Sequence, residues 1–302
     1  MQFVVVLVLV LAPGIFWLWM VYSRDRYRPE PRALVVRTFL LGAVAAIPVA
    51  AVETALIYAA TGVLDITGVE GASLGMIAYV SFVVAGMTEE VGKFAVVRAT
   101  VYRSPYFDEP MDGLVYGAAA ALGFATLENL AYALAFGWEV ILIRGPLTTL
   151  AHVLFSALWA YPLGTSKTNP TGARGRVLAG LLAAIAAHGL FDFLILSQSG
   201  YSLLAIPLFL GGGGLFLLML RRARRLSPYR DKVAEMLVTC PRCGTAVPYY
   251  STFCTACGRD LSDAKAVGTV TCGKCGAAVD GGADFCTACG SRLTRKPSDR
   301  GR

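Results

Sequence analysis

Residues 75–101 read GMIAYVSFVVAGMTEEVGKFAVVRATV, a block apolar enough to cross a lipid bilayer that nevertheless carries Glu89, Glu90 and Lys93 in its interior. A helix rising 1.5 Å per residue needs about 20 mostly apolar residues to span a hydrocarbon core of about 30 Å. Six further blocks of this kind lie at about 2–22, 34–60, 113–135, 147–164, 177–197 and 201–220. The chain of 302 residues is 56% hydrophobic and only 16% charged, with a mean hydropathy of +0.60, outside the range of ordinary soluble domains. The expected fold is an all-α polytopic membrane protein of about seven transmembrane helices, with a small separate module at its C-terminus. The first block has no basic residue ahead of it and no small-residue cleavage site, so it reads as a retained helix.

Lysine and arginine set the expected orientation. Arg24, Arg26, Arg28 and Arg32 follow the first block; Arg98 and Arg103 end the third. Lys167, Arg174 and Arg176 follow the fifth, and Arg221, Arg222, Arg224 and Arg225 the seventh. The alternate loops hold Arg144 with Asp65, Glu70 and Glu139. This pattern predicts a membrane protein with its N-terminus outside and its C-terminus cytoplasmic; the expected setting is the plasma membrane of a prokaryote. Residues 1–220 carry 12 Lys+Arg against 13 Asp+Glu, so the formal +7 resides in the tail. Nucleic acid is not the expected partner; the arginines of 221–225 suit an anionic leaflet.

All eight cysteines lie beyond residue 239 and repeat with a period of 32 residues. Cys240-Pro-Arg-Cys243-Gly and Cys254-Thr-Ala-Cys257-Gly form one unit; Cys272-Gly-Lys-Cys275-Gly and Cys286-Thr-Ala-Cys289-Gly form the other. Each CxxC turn aims two thiolates at one point, and two turns close a tetrahedral site with no open position. The expected cofactors are therefore two structural zinc ions, against an alternative of four disulfides. The domain reading is a transmembrane domain over 1–225, a linker over 226–239, a double zinc ribbon over 240–290 (240–258 and 272–290) and a basic disordered tail over 291–302. Each ribbon is too short for a self-sufficient core, so metal supplies much of its folding free energy. A cytoplasmic partner of unknown identity is expected for it.

The buried polar residues carry the chemistry. Ionisable groups in hydrocarbon cost about 3 kcal/mol or more and usually face a polar cavity or one another. Only two histidines exist, His152 and His188, and both fall inside apolar blocks. Glu89 and Glu90 share a block with Lys93 at i+4 and i+3; Glu128 and Asn129 lie in the fourth, and Asp192 follows His188 by four residues. These spacings put Lys93 on the carboxylate face and Asp192 on the His188 face. Counted from block ends at 1.5 Å per residue, these groups scatter from under about 10 Å for His152 to about 20 Å for Glu90, compatible with one site. A glutamate base with histidine donors can activate water, stabilise an oxyanion and protonate a leaving amine. His152, His188 and buried carboxylates can equally hold a catalytic Zn²⁺. Neither HExxH nor a membrane-embedded cysteine is present. Gly71-Ala72-Ser73-Leu74-Gly75 matches G-x-S-x-G, but no strand precedes it. A proton- or cation-coupled transporter or sensor is the alternative class, expected to show repeated, broken helices; Gly211 to Gly214 reads as an interruption of the last span. A scaffold that has lost catalysis is a third reading. Glu53 belongs to none of these motifs.

The ordered set Glu89-Glu90-x-x-Lys93, Phe107-Asp-Glu-Pro-Met-Asp-Gly113-Leu-Val-Tyr-Gly117, Gly123-Phe124-x-x-x-Glu128-Asn129, His152 and His188-x-x-x-Asp192 resembles the PrsW-type intramembrane proteases, distant relatives of the CAAX prenyl proteases. The resemblance covers roughly residues 1–220. It implies a membrane endopeptidase acting on a membrane-anchored protein, in some relatives an anti-sigma factor. By position it makes Glu89 the water-activating base, supported by Glu90 and Lys93. Glu128 stands where the prenyl-protease relatives carry histidine, and Asp192 stands for the asparagine of HxxxN. The family is described both as glutamate-dependent and as metal-dependent.

Overall fold

The computed structural model describes residues 2–63, 72–198, 200–230, 237–248, 254, 256–261, 269–272, 274–280 and 286–291, and among the described residues up to 226 seven helical spans are long and apolar enough to cross a membrane. They are α1 (Gln2–Tyr22), α2 (Arg32–Thr61), a composite third span, α5 (Pro110–Phe136), α6 (Ile141–Thr168), α7 (Ala173–Leu196) and α8 (Ala205–Leu226). The third span runs from Leu74 to Thr100 as α3 (Leu74–Ala78), a π-helix (Tyr79–Met87) and α4 (Thr88–Thr100). The expected loop acids Asp65 and Glu70, and the tail beyond 291, lie outside the described residues.

Two expectations are corrected. Gly211 to Gly214 do not break the last span, because α8 continues through them; neighbouring turns supply the ladder that glycine's own propensity weakens. The fifth span starts at Ile141 rather than near 147, with Arg144 inside it. That charge looked like a loop residue, yet it faces protein rather than lipid.

α5 is the axis of the bundle. Pro110 sits where a helix's first amide has no partner anyway, and Asp112 Oδ2 accepts from the amides of Asp108 (2.6 Å) and Glu109 (2.7 Å). From Pro110 to Thr126 every residue is buried, between α1, α2, α4, α6 and α8. Glycines let the backbones meet: a Cβ on Gly123 would lie 1.9 Å from Phe39 O of α2, and one on Gly113 would lie 2.1 Å from Ala160 O of α6. Trp159, Tyr116, Leu114 and Leu122 fill the core between these contacts. The outward faces are apolar too. Val36, Leu40, Val44 and Ile47 repeat at helical spacing along α2 and are more than half exposed, as a lipid-facing stripe requires.

The tail folds as the same small unit twice. β1 (Leu237–Thr239) pairs antiparallel with β2 (Ala246–Pro248), and β3 (Thr269–Thr271) with β4 (Ala278–Asp280). Four tight turns repeat one bond pattern, from Gly244 N to Cys240 O, Gly258 N to Cys254 O, Gly276 N to Cys272 O and Gly290 N to Cys286 O, at 2.8–2.9 Å. Those glycines have φ between +70° and +74°, a region that side chains disfavour. Sulfur pairs stand 3.6–3.7 Å apart, too far for disulfides. Tetrahedral zinc with bonds of about 2.3 Å would set neighbouring sulfurs about 3.8 Å apart. Each tetrad therefore fits a closed structural zinc site. The second unit touches the membrane domain: Arg32 N at the start of α2 donates to Thr287 O at 3.0 Å.

Candidate active site

The π-helix delivers the carboxylates. Such turns widen the helix and rotate the facing of the residues beyond them. Gly86 and Gly189 let this segment lie directly against α7: a Cβ on Gly86 would meet Ile185 O at 2.9 Å, and one on Gly189 would meet Phe82 Cα at 2.8 Å. Directly after the π-helix, Glu89, Glu90 and Lys93 all turn inward, at 5%, 0% and 0% exposure. Thr88 Oγ1 reaches back to Val84 O and lies 2.9 Å from Glu53 Oε1. Glu53, unexplained by sequence, thus braces the turn that presents Glu89.

The expected residues form one cluster. Lys93 Nζ donates to Glu89 Oε2 (2.9 Å), Glu90 Oε1 (2.9 Å) and His152 Nδ1 (2.8 Å). His152 then carries its hydrogen on Nε2, which stands 3.0 Å from Glu128 Oε2. His188 Nδ1 lies 3.0 Å from Glu90 Oε1, so its Nε2 faces Glu89 Oε2 at 3.8 Å and Asp192 Oδ2 at 3.5 Å. The two imidazoles stand edge to face with centroids 5.2 Å apart. Asn129 belongs to the periphery: its Nδ2 donates to Thr149 Oγ1 at 2.9 Å. With α6 starting at Ile141, His152 lies about 17 Å into its helix, closer to the others than the block count gave; Glu128 and His188 lie about 12 Å and Glu90 about 24 Å from their helix ends, yet the side chains meet in one cluster.

The two adjacent glutamates have different surroundings. Glu90 accepts on both oxygens: Lys93 and His188 meet Oε1, while Ser156 Oγ (2.8 Å) and Trp159 Nε1 (2.9 Å) donate to Oε2. It is a saturated, fully buried carboxylate. Glu89 has one hydrogen-bond donor among the described residues, Lys93, and both histidines within 3.8 Å of its Oε2. Three contributors escaped the sequence reading. Ser156 and Trp159 look like ordinary span residues until their polar tips find Glu90. Arg144 binds Glu128 Oε1 at 2.8 Å and covers the Tyr132 ring at 3.5 Å from its centroid. Ser73 takes part in local capping: its hydroxyl accepts from Met76 N at 3.3 Å at the start of α3.

One ligand atom each from Glu89, His152 and His188 lie within 4.8 Å of one another, all buried. Two histidines and a glutamate are a proper donor set for catalytic zinc, and His188, oriented by Glu90 through its other nitrogen, has the usual carboxylate support. The set fits a metal in kind and spacing, although the Lys93 ammonium occupies the same neighbourhood.

Residues 30–212 match the family model described as PrsW family intramembrane metalloprotease, well over half the chain. The chain belongs to this PrsW family. Residues 240–290 match the double zinc ribbon model. A curated Protease PrsW from Geobacillus kaustophilus is 36% identical over 187 residues, 62% of this chain and 78% of its own length. Those from Bacillus subtilis and Clostridioides difficile are 35% and 30% identical over 65% and 64% of this chain, covering 85% and 79% of their own lengths. No solved structure matches. A PrsW-family chain with these spans is a multi-pass membrane protease, the enzyme class rather than the transporter or sensor considered from sequence.

Proposed function

We propose that the cluster hydrolyses a peptide bond in a membrane-anchored protein, with Glu89 as the base that takes a proton from the attacking water. The observation that carries this reading is the contrast between the two glutamates: Glu90 is saturated by four donors, while Glu89 keeps capacity to accept. Lys93 holds Glu89 in place and offsets the negative charge of the pair. His188, whose Nε2 is turned toward Glu89, supplies a donor to a developing oxyanion or to the leaving amine, while His152 helps to hold Lys93 in place. Glu90 and Asp192 orient His188, and the Glu128–Arg144 pair orients His152.

A second reading rests on the Glu89, His152 and His188 donor set. Zinc held there would acidify a bound water and polarise the scissile carbonyl. In that case Glu90 keeps its role of fixing His188, and Lys93 must give way from the ligand face. The arginine pattern supports a plasma-membrane placement with the N-terminus outside and the ribbons in the cytoplasm. The resemblance supports a signalling regulator such as an anti-sigma factor as substrate.

The test is cleavage of candidate single-span proteins by the reconstituted full-length chain. Glu89→Gln should remain folded and lose at least about a hundredfold in kcat, the usual contribution of a positioned base. An undiminished rate would remove Glu89 from that role. Zinc content of the active wild type separates the two mechanisms: two ions per chain supports the glutamate mechanism, and three supports metal at the membrane site.

A further inference from the structure

A second cluster of buried carboxyls lies at the opposite end of α5, about 24 Å along the helix from Glu128. Asp25, in the α1–α2 loop, meets Glu109 and Asp112 at the start of α5, with exposures of 5%, 1% and 0%. One oxygen from each lies within 4.8 Å of the others. Glu30, also buried, packs against Asp112 and accepts from the Tyr116 hydroxyl. Arg28, which neighbours these loops, is engaged by Asp108 and by Tyr229 beyond α8.

Position and bonding hold these oxygens open toward one another. Asp112 Oδ2 is pinned by two backbone amides, and its Oδ1 has no hydrogen-bond partner although buried. Asp25 Oδ2 is buried and unpartnered as well. Buried polar atoms are nearly always satisfied, and an ionised carboxyl without a partner is costly. A proton shared between Glu30 and Asp112 would neutralise one charge, while Asp25, which meets the backbone of Glu30 and Arg28, and Glu109, which caps the Asp112 amide and meets Ser227, gain hydrogen bonds there but no neutralising cation. We propose that Asp25, Glu109 and Asp112 form a binding site for a hard divalent cation, Ca²⁺ or Mg²⁺. The donors are oxygens alone, with no histidine or cysteine in the set, which disfavours zinc and suits these ions. Bonds of about 2.4 Å place oxygens on opposite sides of one ion about 4.8 Å apart, so the cluster has the right span. The ion ties the α1–α2 loop to the entry of the helix that carries Glu128.

Terbium(III), a luminescent stand-in for Ca²⁺, tests this on the full-length protein in detergent, because Tyr116 is close enough to sensitise it. Wild type should show emission saturating at one ion per chain, displaced by Ca²⁺ or by Mg²⁺, with the better competitor naming the ion. Asp25→Asn should weaken terbium binding at least tenfold and abolish any rise in Tm on adding Ca²⁺ or Mg²⁺. Glu109→Gln should do the same and decides the matter if Asp25→Asn does not fold. Absence of displaceable emission from wild type, or emission and Tm response unchanged in a folded variant, would overturn the site; a cation-insensitive Tm would leave shared protons as the explanation.

Discussion

At the scale of single residues, the site depends on how fully each carboxylate is engaged. Glu90 holds four donors, and two of them, Ser156 and Trp159, come from α6, the helix that also carries His152. A hydrogen bond to a charged group contributes about 1.5–3 kcal/mol. Trp159→Phe keeps the ring and removes the donor, so kcat should fall by about tenfold or more with a lower Tm, measured on the purified enzyme with KM nearly unchanged. An unaltered kcat would mean that Glu90 does not need that bond to hold His188. These donors were illegible in the sequence because serine and tryptophan in an apolar span carry no signal until a partner is known. Glu89, Glu90, Lys93, Glu128, His152, His188 and Asp192 were legible for the opposite reason: charge in hydrocarbon is expensive enough to announce itself. Arg144 was hidden by its position, since a charge near a block's edge looks like the start of a loop.

At the scale of elements, glycine decides which helices meet. Gly123 allows α5 to touch the α2 backbone, and a Cβ there would lie 1.9 Å from Phe39 O. Gly123→Ala should destabilise by about 1–3 kcal/mol, the usual cost of overpacking, read as a lower unfolding midpoint in detergent. A methyl group added at Gly213 would meet nothing within 4 Å, so Gly213→Ala should leave stability equal or raise it by a few tenths to about 1 kcal/mol. The pair of results would show that close approach, rather than helix propensity, governs this bundle. The seven spans were readable from block length because hydrocarbon thickness fixes helix length. The π-helix over Tyr79–Met87 was not, since nothing in a run of apolar residues marks a widened turn. That turn, with Gly86 and Gly189 at its contact with α7, lets α4 present two neighbouring carboxylates to α6 and α7.

At the scale of the whole molecule, a membrane protease and a metal-built tail are joined through the end of the bundle opposite the Glu128 end of α5. Stripping zinc with a strong chelator should unfold the ribbons while the helical far-ultraviolet signal of the spans persists, because the helices rest on their own packing. The paired sequence units look equivalent, and their CxxC spacing made both legible. Their surroundings differ. The first amide of α2 has no side-chain cap, because Pro31 at the cap position has no side-chain oxygen to accept from it. Thr287 of the second ribbon supplies the carbonyl that this amide needs. One module thus finishes the secondary structure of another, across a boundary that the repeat does not reveal. Cys289→Ser should therefore raise amide exchange at the start of α2, whereas Cys257→Ser in the first ribbon should leave it unchanged. The twin sequences have unlike dependents: one is a fold in its own right, and the other is also the opening turn of a transmembrane helix.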